Sequence, residues 1–96
     1  MKEEFAATRL EALGHRMHLS IYRLLVKAGD EGMIVGDIQK TLDVPASTLS
    51  HHLAKLARAG LVSQGRRGRE ICCGVDYGEM QSLISVLTEE CGAGVT

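Results

Sequence analysis

The chain has 96 residues, of which 45% are hydrophobic and 24% charged. This composition excludes a disordered chain and a collagen-like repeat, and no run approaches the roughly 18 apolar residues that a membrane span needs. The formal net charge is −1, but residues 44–69 contain five basic and no acidic side chains and carry +5, so the remainder carries −6. Such asymmetry on a small domain is typical of a protein with one face that meets phosphate.

The amino terminus, residues 1–4, lacks the basic flank and apolar block of a secretory signal. We therefore expect a cytoplasmic protein that does not meet a membrane. Because a chain this short buries only part of its surface when it folds alone, self-association is expected as well.

The first 60 residues predict four helices and one very short strand. Apolar side chains recur three and four residues apart, as in amphipathic helices, and glycine or proline stands at the boundaries. Pro45 fits the first turn of the fourth helix, where its missing N–H costs nothing. The expected elements are helices at 3–14 and 16–28, a strand at 33–35, and helices at 36–41 and 45–60.

The remaining residues predict a β-hairpin followed by a last helix. Two short apolar runs flank a basic tip at 65–68, and the helix is expected over 76–91 with Cys91 at the end of its apolar stripe. The predicted fold is mostly α with a β-hairpin wing: a winged helix-turn-helix of order α-α-(short β)-α-α-β-β-α. Residues 1–91 are expected to form this single domain for DNA binding and dimerisation, and residues 92–96 a flexible tail.

The fourth helix and the hairpin together favour DNA binding. In a helix-turn-helix, the amino-terminal residues of the second helix contact base edges in the major groove, while lysine and arginine reach phosphates. A solvated amphipathic helix is the alternative, and the basic hairpin beside it disfavours that reading. The predicted DNA-contacting residues are Ser47, Thr48, Ser50, His51, Lys55, Arg58, Arg66, Arg67 and Arg69.

The histidines do not predict a metal site. His51 and His52 are neighbours and lie about 100° apart around a helix, so they cannot both bind one ion. His52 leans toward the core, where a hydrogen-bonded structural role is expected. His15 and His18 are expected to be polar surface residues near the start of a helix.

Cys72, Cys73 and Cys91 leave several roles open. Three thiols in a cytoplasmic protein do not make a disulfide framework, but thiolates are soft ligands for metal ions and for trivalent arsenic or antimony. Cysteine also packs as a small hydrophobe. Adjacent strand residues point to opposite faces, so Cys72 and Cys73 share a site only if the strand bends, which Gly74 permits. Soft-ion sensing, structural packing and thiol oxidation all remain open.

Four segments carry a resemblance: Leu-Ser-Ile-Tyr-Arg-Leu-Leu at 19–25, Ser-Thr-Leu-Ser-His-His-Leu-Ala-Lys-Leu at 47–56, Ala-Gly-Leu-Val at 59–62 and the glycine-arginine wing at 65–69. Together with the order of elements, and most specifically through Ser-His-His-Leu at 50–53 followed by Ala-Gly-Leu-Val, the chain resembles the ArsR family of winged-helix metalloregulatory repressors over residues 9–91. It implies a homodimer, paired through the first and last helices, that represses transcription at a palindromic operator. Effector binding would lower the affinity for that operator.

Departures from the family restrict the effector that the resemblance implies. Ile34 and Gly36 stand where arsenic-sensing members carry Cys-x-Cys, the last helix has no histidine for a zinc site, and no early cysteine exists for persulfide sensing. The chain is similar to a branch with thiols at the end of the last helix, which is associated with arsenite or antimonite. There Gly92 replaces the second thiol, which Cys72 or Cys73 would have to supply. Two further departures are Arg16 and His18, where relatives usually have proline and arginine.

The sequence thus predicts a repressor that is released when arsenite or antimonite binds the thiolates of Cys91, Cys72 and Cys73. The same DNA-binding module with a thiol-redox switch is one alternative. A domain that binds another anionic partner and has purely structural cysteines is a second. No cofactor is expected for folding. No catalytic motif such as Gly-x-Ser-x-Gly occurs, so an enzyme is not expected.

Overall fold

A computed structural model describes residues 1–95; Thr96, the last residue of the predicted tail at 92–96, lies outside them. The described chain forms five α-helices and a three-stranded antiparallel sheet in the predicted order, which confirms a winged helix-turn-helix. A single 3₁₀ turn at Gly29–Glu31 was not predicted. The elements are α1 (Glu3–Leu13), α2 (Arg16–Ala28), β1 (Met33–Ile34), α3 (Val35–Leu42), α4 (Ala46–Arg58), β2 (Val62–Arg67), β3 (Glu70–Val75) and α5 (Tyr77–Thr88).

The core forms where α2, α3 and α4 pack against one face of the sheet. The leucine face predicted for α4 is confirmed, since Leu49, Leu53 and Leu56 are all buried. Asp43 ends α3 in the left-handed conformation, with φ of 52°, which a short polar side chain tolerates better than a branched one. That residue turns the chain sharply into α4, so the orientation of α4 depends on both the turn and the buried leucines.

The sheet has the order β1-β3-β2, and β3 is its central strand. Met33 pairs with Cys73 on one side, and Gln64 pairs with Cys73 on the other. Gly32 precedes β1 with φ of 68°, and a Cβ there would lie 2.3 Å from the Cys73 carbonyl oxygen. Only glycine therefore lets the chain pass this close to β3.

The tip of the wing differs from the prediction. The strands continue through residues 65–67, and Arg67 pairs with Glu70. The turn is Gly68-Arg69, not 65–68. Gly68 adopts a positive φ of 65°, whereas Gly65 lies within β2. A two-residue hairpin turn with glycine first matches the right-handed twist of the strands, which explains the shorter loop.

Helix α5 is shorter than predicted and does not include Cys91. It ends at Thr88; Glu89 is extended and Glu90 has a positive φ of 58°. Two carboxylates at the carboxyl end oppose the helix dipole, and no basic side chain in the last turn compensates for them. The expectation that Cys91 continues the apolar stripe of the last helix is therefore wrong.

The first and last helices pack side by side. Arg9 on α1 forms an ion pair of 2.9 Å with Glu79 on α5 and donates a hydrogen bond to the Phe5 carbonyl oxygen.

The Cα radius of gyration is 14.8 Å, against about 12.5 Å for a compact chain of this length. No helix within residues 1–95 is long and apolar enough to cross a membrane.

Candidate nucleic-acid interface

Helix α4 presents a polar face directly opposite its buried leucines. Pro45 is its N-cap, and no side chain accepts a hydrogen bond from the free backbone N–H groups of the first turn. The first turn also lacks acidic residues, and the last turn contains Lys55 and Arg58. These N–H groups and the positive end of the helix dipole both favour an approaching anion such as phosphate.

Every side chain that the sequence predicted to contact DNA is exposed. Those on α4 occupy its solvent face, and the three arginines of the hairpin follow it in sequence on β2 and the adjoining turn. Exposure shows that these groups are accessible, and their roles at DNA stay predictions. The exposed set is Ser47, Thr48, Ser50, His51, Lys55, Arg58, Arg66, Arg67 and Arg69.

One wing arginine is already held in place by the protein. The Arg67 guanidinium donates a hydrogen bond of 3.2 Å to the carbonyl oxygen of Glu31, at the end of the 3₁₀ turn. Since Arg67 directly precedes the Gly68-Arg69 turn, this bond ties the tip end of the wing to the body of the domain. Arg66 and Arg69 make no comparable hydrogen bond within the described residues, so their charges can turn freely toward a phosphate backbone.

The three cysteines lie apart in the structure. Cys73 is fully buried in the core, whereas Cys72 is on the opposite face of β3 and donates a hydrogen bond to the Glu31 carbonyl oxygen at 3.4 Å. Cys91 is exposed in the turns that follow α5. Gly74 does not bend β3 enough to bring Cys72 and Cys73 to one face. One protomer therefore does not assemble these sulfurs into a site.

The surroundings of the Cys73 thiol also disfavour its thiolate form. Burial raises its pKa above the ordinary value, and the hydrogen bond that it accepts from the Gln64 side chain at 3.6 Å offsets only part of that effect. Since the thiolate is the form that binds soft ions, this raised pKa opposes a role for Cys73 as a ligand at neutral pH.

The structure instead gathers three histidines, which the sequence did not predict. His15 is the N-cap of α2, His18 lies in its first turn and His52 is on α4. One ligand nitrogen from each lies within 4.8 Å of the others, the only such group of three among residues 1–95. His18 was expected at the surface, but it is only 4% exposed. We call these three side chains the histidine triad.

Hydrogen bonds fix the rings of the histidine triad. His18 Nδ1 lies 3.0 Å from the Ala12 carbonyl oxygen, which can only accept, so Nδ1 carries the proton. His18 Nε2 then accepts from His52 Nδ1 at 2.9 Å. The Nδ1 atom of His15 accepts from the Met17 backbone N–H at 3.2 Å and caps α2. This agrees with the hydrogen-bonded role predicted for His52, and the structure supplies its partner.

Burial affects the protonation of the triad. Desolvation lowers the pKa of His18, and the nearby histidines and Lys55 lower it further against the raising effect of the bond to Ala12. Desolvation also lowers the pKa of His52, with His18 and His15 as the next causes. Both imidazoles are therefore neutral at pH 7, which leaves nitrogen lone pairs available as acceptors or ligands.

Two members of the triad, His15 and His18, line an open cleft of about 430 Å³ between the end of α1 and α4. Glu11 lines it from α1, and Lys55 and Arg58 line it from α4. The cleft thus joins the histidine triad to two of the side chains predicted to reach DNA phosphates. No sequence signal links these positions, because His18 and His52 are 34 residues apart.

Comparison with known proteins decides the family. A family model described as a helix-turn-helix domain matches residues 13–64, more than half of the chain. The transcriptional repressor PagR of Bacillus anthracis is 31% identical over 87 residues, which cover 91% of this chain and 85% of PagR. A putative arsenical resistance operon repressor ArsR from Halobacterium salinarum is 38% identical over 60 residues, which cover 62% of this chain and 46% of that protein. The chain belongs to the ArsR family of winged-helix transcriptional regulators.

Solved structures agree with this ArsR-family fold. The crystal structure of PagR superposes with a TM-score of 0.71 at 31% identity and covers 88% of this chain and 93% of PagR. HlyU from Vibrio cholerae gives a TM-score of 0.75 at 27% identity over 93% and 94% of the two chains. An ArsR-like regulator from Rhodococcus sp. RHA1 shares the fold, with a TM-score of 0.78 at 24% identity over 95% and 82%.

The matched relatives are regulators, and none of those described is an enzyme, in agreement with the sequence prediction. HlyU is named a transcriptional activator, and PagR a transcriptional repressor. As an ArsR-family member the chain is a DNA-binding transcriptional regulator.

Proposed function

We propose that this ArsR-family chain is a homodimeric repressor that binds a palindromic operator in the cytoplasm and is released by a soft metalloid. The observation that carries the DNA-binding part is the exposed basic face formed by α4 and β2. All five basic side chains of residues 44–69 are exposed on these elements or their turn, whereas the rest of the chain is acidic. We call this surface the basic face.

Helix α4 is suited to the major groove. Its buried leucines fix the rotation of the helix, so Ser47, Thr48 and His51 all face outward from its first turns. Hydroxyl and imidazole groups can donate to or accept from base edges, which supplies sequence selectivity. Lys55 and Arg58 lie farther along the same helix and are placed for phosphates.

The dimer is supported by apolar side chains that the monomer leaves in water. On α1, Phe5 is 51% exposed and Leu10 42%, and on α5 Ile84 is 47% and Leu87 59% exposed. Since α1 and α5 pack together, these groups belong to neighbouring helices at one end of the domain. A two-fold dimer through this end would present two α4 helices to half-sites about one DNA turn apart.

The metalloid part of the proposal needs both protomers. Cys72 is half-buried and Cys91 is exposed, so both thiols are accessible, whereas Cys73 is not. Because one protomer keeps its sulfurs apart, a three-sulfur site would combine thiols across the dimer at the end of α5. Soft thiolate ligands are the support for arsenite or antimonite.

The DNA-binding proposal is tested by selecting binding sites from a pool of random duplexes. We expect a two-fold symmetric sequence to be enriched and bound by a dimer. Ser50→Ala on α4 is expected to relax the selected sequence, while the matched Ser20→Ala on α2 is expected to leave it unchanged. Enrichment of no sequence, or equal effects of both substitutions, would contradict the assignment of α4 to the major groove.

The effector proposal is tested on reduced protein by titration with arsenite and with antimonite. A saturable ultraviolet band from sulfur-to-metalloid bonds is expected, and it should be lost in Cys91→Ser and weakened in Cys72→Ser. Cys73→Ser serves as the buried control and is expected to keep the band. No band, with operator binding intact, would remove the metalloid from the function and leave a redox or structural role for the thiols.

A further inference from the structure

Three imidazoles converge at the point where the start of α2 meets α4. The His15 and His18 rings stack with centroids 4.4 Å apart, and His18 meets His52 edge-on at 4.8 Å. The cysteines and the basic face do not explain this convergence, because neither requires histidine at these positions. Three imidazoles that share one small volume are a common ligand set for a divalent transition metal.

The ring of His18 is already oriented as a ligand. Its Nδ1–H donates to the Ala12 carbonyl oxygen, and its Nε2 lone pair points at the neighbouring His52. Metal-binding histidines nearly always donate their second ring N–H to a carbonyl or carboxylate, which fixes the tautomer and the ring plane. Here the backbone supplies that acceptor, and burial holds the ring in place.

We propose that His15, His18 and His52 form a binding site for a divalent transition-metal ion with the ligand preferences of Zn²⁺, and that the ion joins α2 to α4. The inference rests on the triad and not on operator binding or the cysteines. The three nitrogens would occupy three positions of a tetrahedron. The fourth position would face the cleft and take a water molecule, as in zinc sites with three protein ligands.

The distances suit this assignment. With zinc–nitrogen bonds of about 2.0–2.1 Å, ligand nitrogens in a tetrahedral site lie about 3.4 Å apart. His18 Nε2 and His52 Nδ1 are 2.9 Å apart, and all three ligand atoms lie within 4.8 Å of one another. The ion would take the place of the proton between His18 and His52, and His52 would shift to the tautomer that carries its proton on Nε2. His15 can close the wider gap, because its ring is exposed and its one hydrogen bond is with the Met17 N–H.

The charges around the triad affect the strength of binding. Lys55 and Arg58 on α4 repel a cation in the cleft, and Glu11 on α1 attracts one. Dissolved salt screens the repulsion from these two basic groups, and their long side chains let the charged ends turn away from the ion. The site should therefore bind more tightly at high salt than at low salt, opposite to DNA binding by the same basic groups.

The test is a titration of the reduced protein with Co²⁺ and then Zn²⁺ in a buffer that does not bind metals, with a phosphine as the reductant. We expect one Co²⁺ ion per chain, visible d–d bands, and no near-ultraviolet sulfur-to-cobalt band. Zn²⁺ should displace the Co²⁺. His15→Ala should weaken binding by about 100-fold or more, beyond the loss expected for an outer-shell partner.

Matched variants separate a metal site from a set of hydrogen-bonded histidines. His52→Gln should lose the ion as His15→Ala does, while His51→Ala, the adjacent exposed histidine on α4, should retain it. His15 is exposed, so its variant keeps the test valid even if a change at buried His18 unfolds the protein. Absence of saturable binding, equal binding by all variants, or a sulfur-to-cobalt band would each overturn the proposal.

Discussion

Neutralising two arginines of the wing should flatten the salt dependence of operator binding by a predictable amount. The basic face carries five basic side chains per protomer and therefore ten per dimer. If each meets a phosphate, the logarithm of the association constant should fall with the logarithm of salt with a slope of about −9. Arg66→Gln with Arg69→Gln removes four of these charges from the dimer, and the slope should become about −5.4.

The difference is large enough to measure by fluorescence anisotropy on a labelled operator. Between about 50 and 200 mM salt, wild-type affinity should fall about 10⁵-fold and that of the double variant only about 10³-fold. Arg66 and Arg69 are chosen because both are exposed and, unlike Arg67, make no hydrogen bond to the Glu31 carbonyl oxygen.

The control removes the same charge elsewhere. Lys2→Gln with Lys27→Gln changes the net charge equally, but these exposed lysines lie before α1 and at the end of α2, outside the basic face. Its slope should stay at the wild-type value. Equal slopes for the two double variants would refute the reasoning, because the effect would then depend on net charge and not on the wing.

Three further predictions follow from the packing. In a urea titration, Gly32→Ala should destabilise the fold by about 2 kcal/mol or more, since the positive φ of Gly32 and its close approach to β3 both oppose a Cβ. Gly36→Ala is the control: Gly36 lies in a helix with open space around it, so this variant should be neutral or stabilising. Folding lowers the pKa of His18, so below about pH 6.5 the unfolded state binds more protons than the folded state. The free energy of unfolding should therefore be unaffected by this group above that pH and should fall as the pH decreases, by at most about 1.4 kcal/mol per pH unit. His18→Gln should flatten this dependence of stability on pH. An unchanged curve would argue that His18 does not titrate. Leu87→Glu should raise the dimer dissociation constant by about tenfold or more in sedimentation equilibrium, and exposed Val26→Glu on α2 should not.

Local periodicity was enough to predict the helices and the exposed side of α4. The spacing of Leu49, Leu53 and Leu56 fixed which side of α4 is buried, and hence which polar residues are exposed. The two short apolar runs after Gly60, with a basic tip between them, located the hairpin. These features depend on neighbours within a few residues, which a sequence displays directly.

Element ends were harder to predict because several weak effects compete there. The apolar stripe on α5 continues in sequence to Cys91, but the unfavourable carboxylates of Glu89 and Glu90 end the helix at Thr88. In the wing, either glycine could have formed the turn. The register of β2 with β3, and not the local composition, selects Gly68.

The histidine triad could not be predicted from spacing, because it depends on how α2 crosses α4. His15 and His18 are three residues apart, a spacing equally common at the surface of any helix. Only the packing of α2 on α4 brings His52, 34 residues from His18, within hydrogen-bonding distance. The departure from the family at His18 was visible in the sequence, and the structure shows that this residue is the centre of the triad.

The position of the triad makes a last prediction that does not depend on which way Zn²⁺ acts. His52 lies beside His51 on α4, and His15 and His18 line the same cleft as Lys55 and Arg58. An ion that changes operator affinity by some factor must, by thermodynamic linkage, have its own affinity changed by operator DNA by the same factor. Both changes in affinity can be measured: operator binding with and without Zn²⁺, and Zn²⁺ binding with and without operator. Unequal factors would show that the ion also acts at a second site. His15→Ala should abolish both changes in affinity together.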